Sequence, residues 1–294
     1  MTYTFERGFK EKHLKILLNY CKMTKIDPRV TYSQFHRKYR PYSREQSTMD
    51  LINAAYTHRV ITGPVLYANT GIEVKLMDNI NDPLEYLKKC KEDEKTTLAY
   101  ALHGDWSFIH FRYGASMLKF ADSILPHSYS NSCKYIEDIR VEEQKAKLPQ
   151  DPYPHGWSDE HWDVYKVLRT PRSLTFRDVG KQIGLSWDSV KKYFYEVLRQ
   201  CKVHSCFFPL GKNGYSHHVI TFETEYEVSI LRALKKLNRT TYIYKTQEMI
   251  ILILFLIPRP LDFNISTNFF KELEEKGYIR DLHVCTPRKW HNTF

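Results

Sequence analysis

The longest apolar run in the chain is MIILILFLI (249–257), nine positions without a charged or polar side chain. A bilayer takes about 20 such residues, so the run is too short to span one. Its β-branched residues, closed by Pro258 and Pro260, predict a central strand buried on both faces. Together with TTYIYK (240–245) it reads as a β-hairpin turning near Gln247-Glu248. The stretch TTLAYALHGDWSFIHFRY (96–113) repeats this outline 144 residues earlier. Thr96, Thr97, Tyr100 and Phe111 fall on Thr240, Thr241, Tyr244 and Phe255, and the earlier turn lies near Gly104-Asp105. Self-similarity at a fixed spacing outranks a local signal.

Upstream of each hairpin stands a strand and then a helix. VKLMDN (74–79) leads into DPLEYLKKCKED (82–93), with Leu84, Leu87 and Cys90 as an apolar stripe; VITFET (219–224) leads into EYEVSILRALKKL (225–237), with Val228, Leu231 and Leu234 at the same offset. Downstream, ASMLKFADSIL (115–125) and TNFFKELEEKG (267–277) read as helices, followed by extended YIEDIRVE (135–142) and YIRDLHVC (278–285). Each half thus predicts β–α–β–β–α–β, the ferredoxin-like arrangement.

A helical pattern precedes each unit. In the second half these are HWDVYKVLR (161–169), TFRDVGKQIG (175–184) and a helix capped by Ser186, followed by strands KVHSCFF and HHVITF around the turn GKNG (211–214). That is a winged helix-turn-helix. The first half offers a looser copy in 11–22, 31–39, 43–59 and 60–71, with Thr31 on Thr175 and Phe35 on Val179, but Arg40, Pro41 and Tyr42 replace the glycine turn. The expected fold class is α+β, a tandem duplication forming an intrachain pseudo-dimer. Its domains are a first winged helix-turn-helix (1–71), a first ferredoxin-like domain (72–150), and second copies at 151–216 and 217–294.

Charge sharpens this. With 44 Lys+Arg against 34 Asp+Glu the net charge is +10 and the pI about 9.1, which favours an anionic partner such as nucleic acid. Six cysteines show no CxxC pair, favouring reduced thiols in a cytosolic protein, and the charged start MTYTFERGFK is unlike a signal peptide. A cytoplasmic protein without membrane contact is expected, and the Asn238-Arg-Thr240 and Asn264-Ile-Ser266 sequons read as chance matches.

Leu102-His-Gly104-Asp105-Trp-Ser-Phe108 resembles the Gly-Asp hairpin signature of the Lrp/AsnC family of transcription regulators, and Ser186, Ser189-Val190, Phe194 and Val197 are spaced like its recognition helix. The resemblance covers nearly the whole chain in duplicate. It implies paired DNA-reading heads on sheet domains, with a small-molecule effector as a further partner at His103, Gly104 and Asp105. In the second copy Glu248-Met249 replace Gly-Asp, which argues against an intact effector pocket there. Family members carry one such unit per chain and dimerise through their sheets, so association of copies through the sheet domains is also in view.

The residues expected on double-stranded DNA are Ser186, Trp187, Lys191, Lys192, Tyr195 and Arg199 of the second copy and Arg44, Gln46, Ser47, Asn53 and Arg59 of the first. Asp50 in the first-copy helix opposes phosphate contact. Lys212 stands with Asn213 at the expected wing tip, and Arg37 and Lys38, with His36 and Arg40, form a basic cluster fit for phosphate. Plain solvation is the competing explanation of the helix and cluster charges, and an ordinary hairpin turn is that of Lys212 and Asn213. His103 and His110 flank the Gly-Asp hairpin and suit a ligand pocket, acid–base work or a packed interface. Cys201, His204 and Cys206, with His217 and His218 beyond, match no zinc spacing, so no metal is expected.

No nucleophile motif, phosphate loop or paired-carboxylate signature is found, so no catalytic residue and no cofactor is expected, and the main reading is a DNA-binding regulator or architectural protein that is not an enzyme. Two alternatives stand beside it. One is a protein-interaction module without DNA binding. The other is a sirohaem decarboxylase, a tetrapyrrole enzyme sharing the Lrp/AsnC-like architecture, against which Tyr244-Lys-Thr-Gln-Glu248 lacks the His and Arg expected of its hairpin.

Overall fold

The computed structural model describes residues 8–114, 118–258 and 262–292, with the side chains of 262–267 left aside. In chain order the elements are α1 (Glu11–Ile26), α2 (Tyr32–Tyr39), α3 (Glu45–Thr57), β1 (Ile61–Tyr67), β2 (Ile72–Met77), α4 (Pro83–Glu92), β3 (Thr96–Gly104), β4 (Phe108–Tyr113) and β5 (Phe120–Ile124). Then follow α5 (Asp159–Val167), α6 (Phe176–Ile183), α7 (Trp187–Leu198), β6 (Lys202–Phe207), β7 (Ser216–Glu223), α8 (Glu227–Leu234), β8 (Thr241–Lys245), β9 (Met249–Leu256), α9 (Asp262–Glu275) and β10 (Arg280–Asn292). They form two compact units, one of residues 1–68, 128–130 and 154–213, the other of 69–127, 131–153 and 214–294.

The first unit is helical. Leu14, Leu17, Leu18 and Cys21 recur at helical spacing and bury one face of α1. The Thr31 hydroxyl accepts from Gln34 N to start α2; Gly184, at φ 73°, ends α6; and Ser186 caps α7. Two arginines clasp the two helix sets reciprocally. Arg172 donates to the carbonyls of Pro28 and Val30 and to the Tyr20 hydroxyl, while Arg29 donates to the carbonyls of Pro171 and Leu174 and lies 4.2 Å over the Phe176 ring. The planar guanidinium suits this, because one side chain satisfies several carbonyls at a helix junction.

The expected wing does not form. β6 pairs antiparallel with β1 (Thr62 with Cys206, Leu66 with Val203), while β7 joins the other unit's sheet. The GKNG turn folds back instead: Phe208 N donates to Val60 O, Lys212 N donates to Arg59 O, and a Cβ on Gly211 would meet His58 O at 2.6 Å. The turn at GKNG is legible in the sequence, but the partner of β6 is not, because β1 lies far away along the chain and no local pattern announces it.

The second unit is an eight-stranded sheet in the order β2-β4-β3-β10-β7-β9-β8-β5. Both halves show β–α–β–β with hairpins at the expected turns, and β9 is the dry inner strand expected between β7 and β8. On one face, Ile220, Phe222, Ile243, Leu252 and Leu254 pack against Ile230 and Leu234 of α8 and Phe270 and Leu273 of α9. A smaller core joins Leu87 and Cys90 of α4 to Ala99, Ala101 and Phe108. On the other face the rings of Phe111 (β4) and Tyr244 (β8) lie 5.0 Å apart although five strand spacings separate them in the order. A flat sheet would hold them roughly 24 Å apart, so this sheet curls.

Two expectations are corrected here. The helix read over 115–125 is, at 120–124, strand β5 on the edge of β8 (115–117 lie outside the described residues), and YIEDIRVE forms a 3-10 turn at Ile136–Asp138 instead of a strand. Phe120 and Ile124 stand four apart, which fits a helix as well as a strand, and the open edge of β8 decides. Among the described residues the first half therefore carries β–α–β–β without the second helix and fourth strand of its expected ferredoxin-like unit.

Candidate functional site

Strand alternation sends His217 of β7 to the inner face of the curl and His218 to the helix face. The His217 ring lies 4.7 Å from Phe255 on β9 and 5.0 Å from Trp290 on β10. Tyr242 extends the wall from Phe255 (5.8 Å), and Tyr100 extends it from Trp290 (6.4 Å). Trp290 remains 43% exposed, so the cluster opens to solvent. Burial pushes the Tyr100 hydroxyl up, and burial, then the neighbouring His217, pushes His218 down to about 4. An imidazole set in an aromatic wall can stack a planar conjugated ligand, ligate a metal that the ligand carries, or pass a proton to it.

The Gly104-Asp105 tip is anchored, not open. The Asp105 carboxylate accepts from Val284 N (2.8 Å), Trp106 Nε1 donates to the Thr221 hydroxyl (2.9 Å), and the Trp106 ring lies 4.5 Å from His283. Gly104, at φ 131°, fits because a Cβ there would meet Val284 O at 2.4 Å. His103 stays exposed, while His110 is buried on Thr96 (2.8 Å) and burial lowers its pKa.

Of the residues expected on DNA, α7 brings Trp187, Lys191, Tyr195 and Arg199 onto one exposed ridge, with Lys192 exposed beside it and Ser186 capping the helix. The polar groups of α3 are engaged: Gln46 donates to Asp50 (2.8 Å) on the same helix, and the hydroxyl of Tyr32 on α2 donates to Asn53 (3.0 Å). Arg44 is exposed, Ser47 half-buried, and Arg59 reaches Asn213 at 3.5 Å. Arg37 and Lys38 are exposed on α2, while His36 contacts the Thr48 hydroxyl (2.8 Å). Lys212 is not a wing tip; it is half-buried, and desolvation lowers its pKa. Cys206 is buried, burial pushes the Cys201 thiol up to about 12, and His204 stacks on Tyr67. Asn238 is buried, and Asn264 lies where side chains are not described. The inner-face set His217, Tyr242, Phe255, Tyr100 and Trp290 was missed as a site; alternation along β7 and β9 was the available signal.

No family model and no curated protein matches the sequence. Among solved structures, the chain is similar to the sirohaem decarboxylase NirDL (9% identity, TM-score 0.51) and to the same enzyme in co-complex with an iron-uroporphyrin III analogue (7% identity, TM-score 0.55). Each match covers 96% of this chain and 92% of the other. The likeness is one of fold, and it supports the Lrp/AsnC-like architecture. It also corrects the expectation of a protein that is not an enzyme, because the structures sharing the fold over nearly the whole chain are those of an enzyme. No helix among the described residues is long and apolar enough to cross a membrane.

Proposed function

We propose that the chain is an enzyme acting on a carboxylated iron tetrapyrrole, removing carbon dioxide from a side-chain carboxylate. The observation that carries this reading is the shared fold over 96% of the chain with a sirohaem decarboxylase, one of whose structures holds an iron-uroporphyrin III analogue. The aromatic wall of Tyr100, Tyr242, Phe255 and Trp290 offers stacking area for a macrocycle, with His217 among the rings. In the reaction the bond from the methylene carbon to the carboxylate breaks and carbon dioxide leaves. The electron pair stays on that carbon, delocalised into the macrocycle, until a proton from protonated His217 completes a methyl group.

The test is to add iron uroporphyrin III and sirohaem to purified protein and follow the visible absorption band and carbon dioxide release. Band and release in wild type, with release lost and the band kept in His217→Ala, are expected. Absence of both the band and the release would overturn the reading. Duplex reading by two winged heads has less support, since β6 makes no wing and the polar groups of α3 are engaged. We also infer that 1–71 with 72–150 and 151–216 with 217–294 descend from one duplicated unit, a reading supported by the recurring β–α–β–β order.

A further inference from the structure

On the helix face of the second unit, a cavity of about 570 Å³ lies between α9 and the chain at 137–141. Small-molecule sites span about 300–1,000 Å³, so the space is of ligand size. The chain beside it is anchored to the α8 region at both ends. Cys133 N donates to Lys236 O (2.7 Å) before the turn at Ile136–Asp138, and Ser229 Oγ donates to Gln144 O (2.8 Å) after it. Between these anchors the chain and α9 part enough to leave the cavity. Ile139 and Leu273 are buried in its lining, and Val141, Phe269 and Tyr278 are half-buried along it, which gives an apolar body a surface to cover.

Arg140 stands at the rim of this cavity. Its Nη1 donates to Glu137 O (2.8 Å) and Ile139 O (3.0 Å), which holds the guanidinium in place and leaves the Nε and Nη2 donors over. Among the described residues no carboxylate pairs with Arg140, and the amide of Asn268, on the α9 side of the same cavity, has no protein partner. The acids of the lining are engaged: Glu272 pairs with Lys276 (3.5 Å), and Glu137 is half-buried with a contact of its own. A planar fork of donors beside an amide matches a carboxylate. We propose that this cavity binds a small carboxylic acid with an apolar body, its carboxylate on Arg140 and Asn268 and its body against Phe269, Leu273 and Tyr278. One open cation matches one negative charge, whereas a phosphate dianion would bring a second charge toward Glu137 and Glu272 at the same rim. The cavity is on the helix face and His217 on the inner face, so this inference stands apart from the tetrapyrrole reading and either can fail alone.

The experiment is isothermal titration of the full chain with octanoate and 2-naphthoate, each against its uncharged amide, and with octyl phosphate. Saturable binding of one acid per chain is expected, about tenfold tighter than the matching amide and tighter than octyl phosphate. The better of the two acids tells an aliphatic ligand from an aromatic one. Arg140→Gln should weaken the acid about tenfold and leave the amide unchanged, because only the charged contact is lost. Val141→Trp, which fills the cavity, should abolish binding of both, and His217→Ala should change neither. Circular dichroism checks the fold of each variant. No saturable binding of either acid, amide or phosphate binding as tight as the acid, wild-type affinity in both Arg140→Gln and Val141→Trp, or loss of binding in His217→Ala would overturn the proposal.

Discussion

Val74 and His217 hold the same place in the two halves of the sheet: Val74 pairs with Phe111 across β2 and β4, and His217 with Phe255 across β7 and β9. One step on, Lys75 and His218 also correspond, facing His110 and Leu254. β2 is an edge strand, so Lys75 reaches solvent and meets Glu73 at 3.3 Å, whereas β7 lies between β10 and β9 and its His218 is buried. Equivalent backbone thus carries different chemistry according to what covers it. The first half keeps plain packing on the inner face, and the second sets an imidazole there.

The largest test concerns the helix face. Lys245 and Glu227 make an ion pair of 2.7 Å with both side chains at least nine-tenths buried, and Glu227 also accepts from Leu148 N. In the first half the contact of α4 with the sheet is apolar. Glu227→Ala leaves a buried ammonium alone and is expected to cost about 3–5 kcal/mol, while Glu227→Leu with Lys245→Met should recover most of it. Urea melts of the three proteins check this, and equal losses in single and double variants would refute it.

Next in size is an acid response that His218 adds in the second half. His218 is held near 4 in the fold against 6.5 for a free imidazole. Between those values the unfolded chain takes a proton that the folded one refuses. Stability is therefore complete above pH 6.5 and falls as pH drops toward 4, by roughly 3 kcal/mol. His218→Leu should flatten that part of the stability–pH curve, which melts across the range would show.

A smaller effect separates the hairpin tips. Gly104→Ala places a Cβ against Val284 O at φ 131° and should cost about 1–3 kcal/mol, whereas Gln247→Ala, on a tip closed by Thr246 N donating to Met249 O, should cost little. Equal melting shifts would mean that the Gly-Asp tip is not specially anchored.

The sequence made the β–α–β–β order and the dry strand β9 legible because both rest on local periodicity. It hid β5, whose Phe120 and Ile124 fit either period, and it hid the far half of β10, which runs past Pro287 to Asn292 with its register shifting between Pro287 and Lys289. Both strands are fixed by an edge contributed from the other half. The inner-face site was hidden for the same reason: alternation puts His217 and Phe255 on one face, but only the curl and the arrival of Trp290 make that face a cluster.

The smallest test compares the third helices. Ser186 accepts from Ser189 N (3.1 Å) and satisfies a donor that the helix itself leaves open, while Arg44 at the start of α3 makes no side-chain cap bond. Ser186→Ala should therefore cost about 1 kcal/mol and Arg44→Ala close to nothing. Ser186→Asp should restore the loss, because its carboxylate accepts the same bond and faces the positive end of the helix dipole. Thermal melts of the three variants check this order. A larger loss for Arg44→Ala than for Ser186→Ala would show that α3 depends on a contact of Arg44 beyond its cap, and the contrast between an autonomous α7 and a neighbour-supported α3 would have to be redrawn.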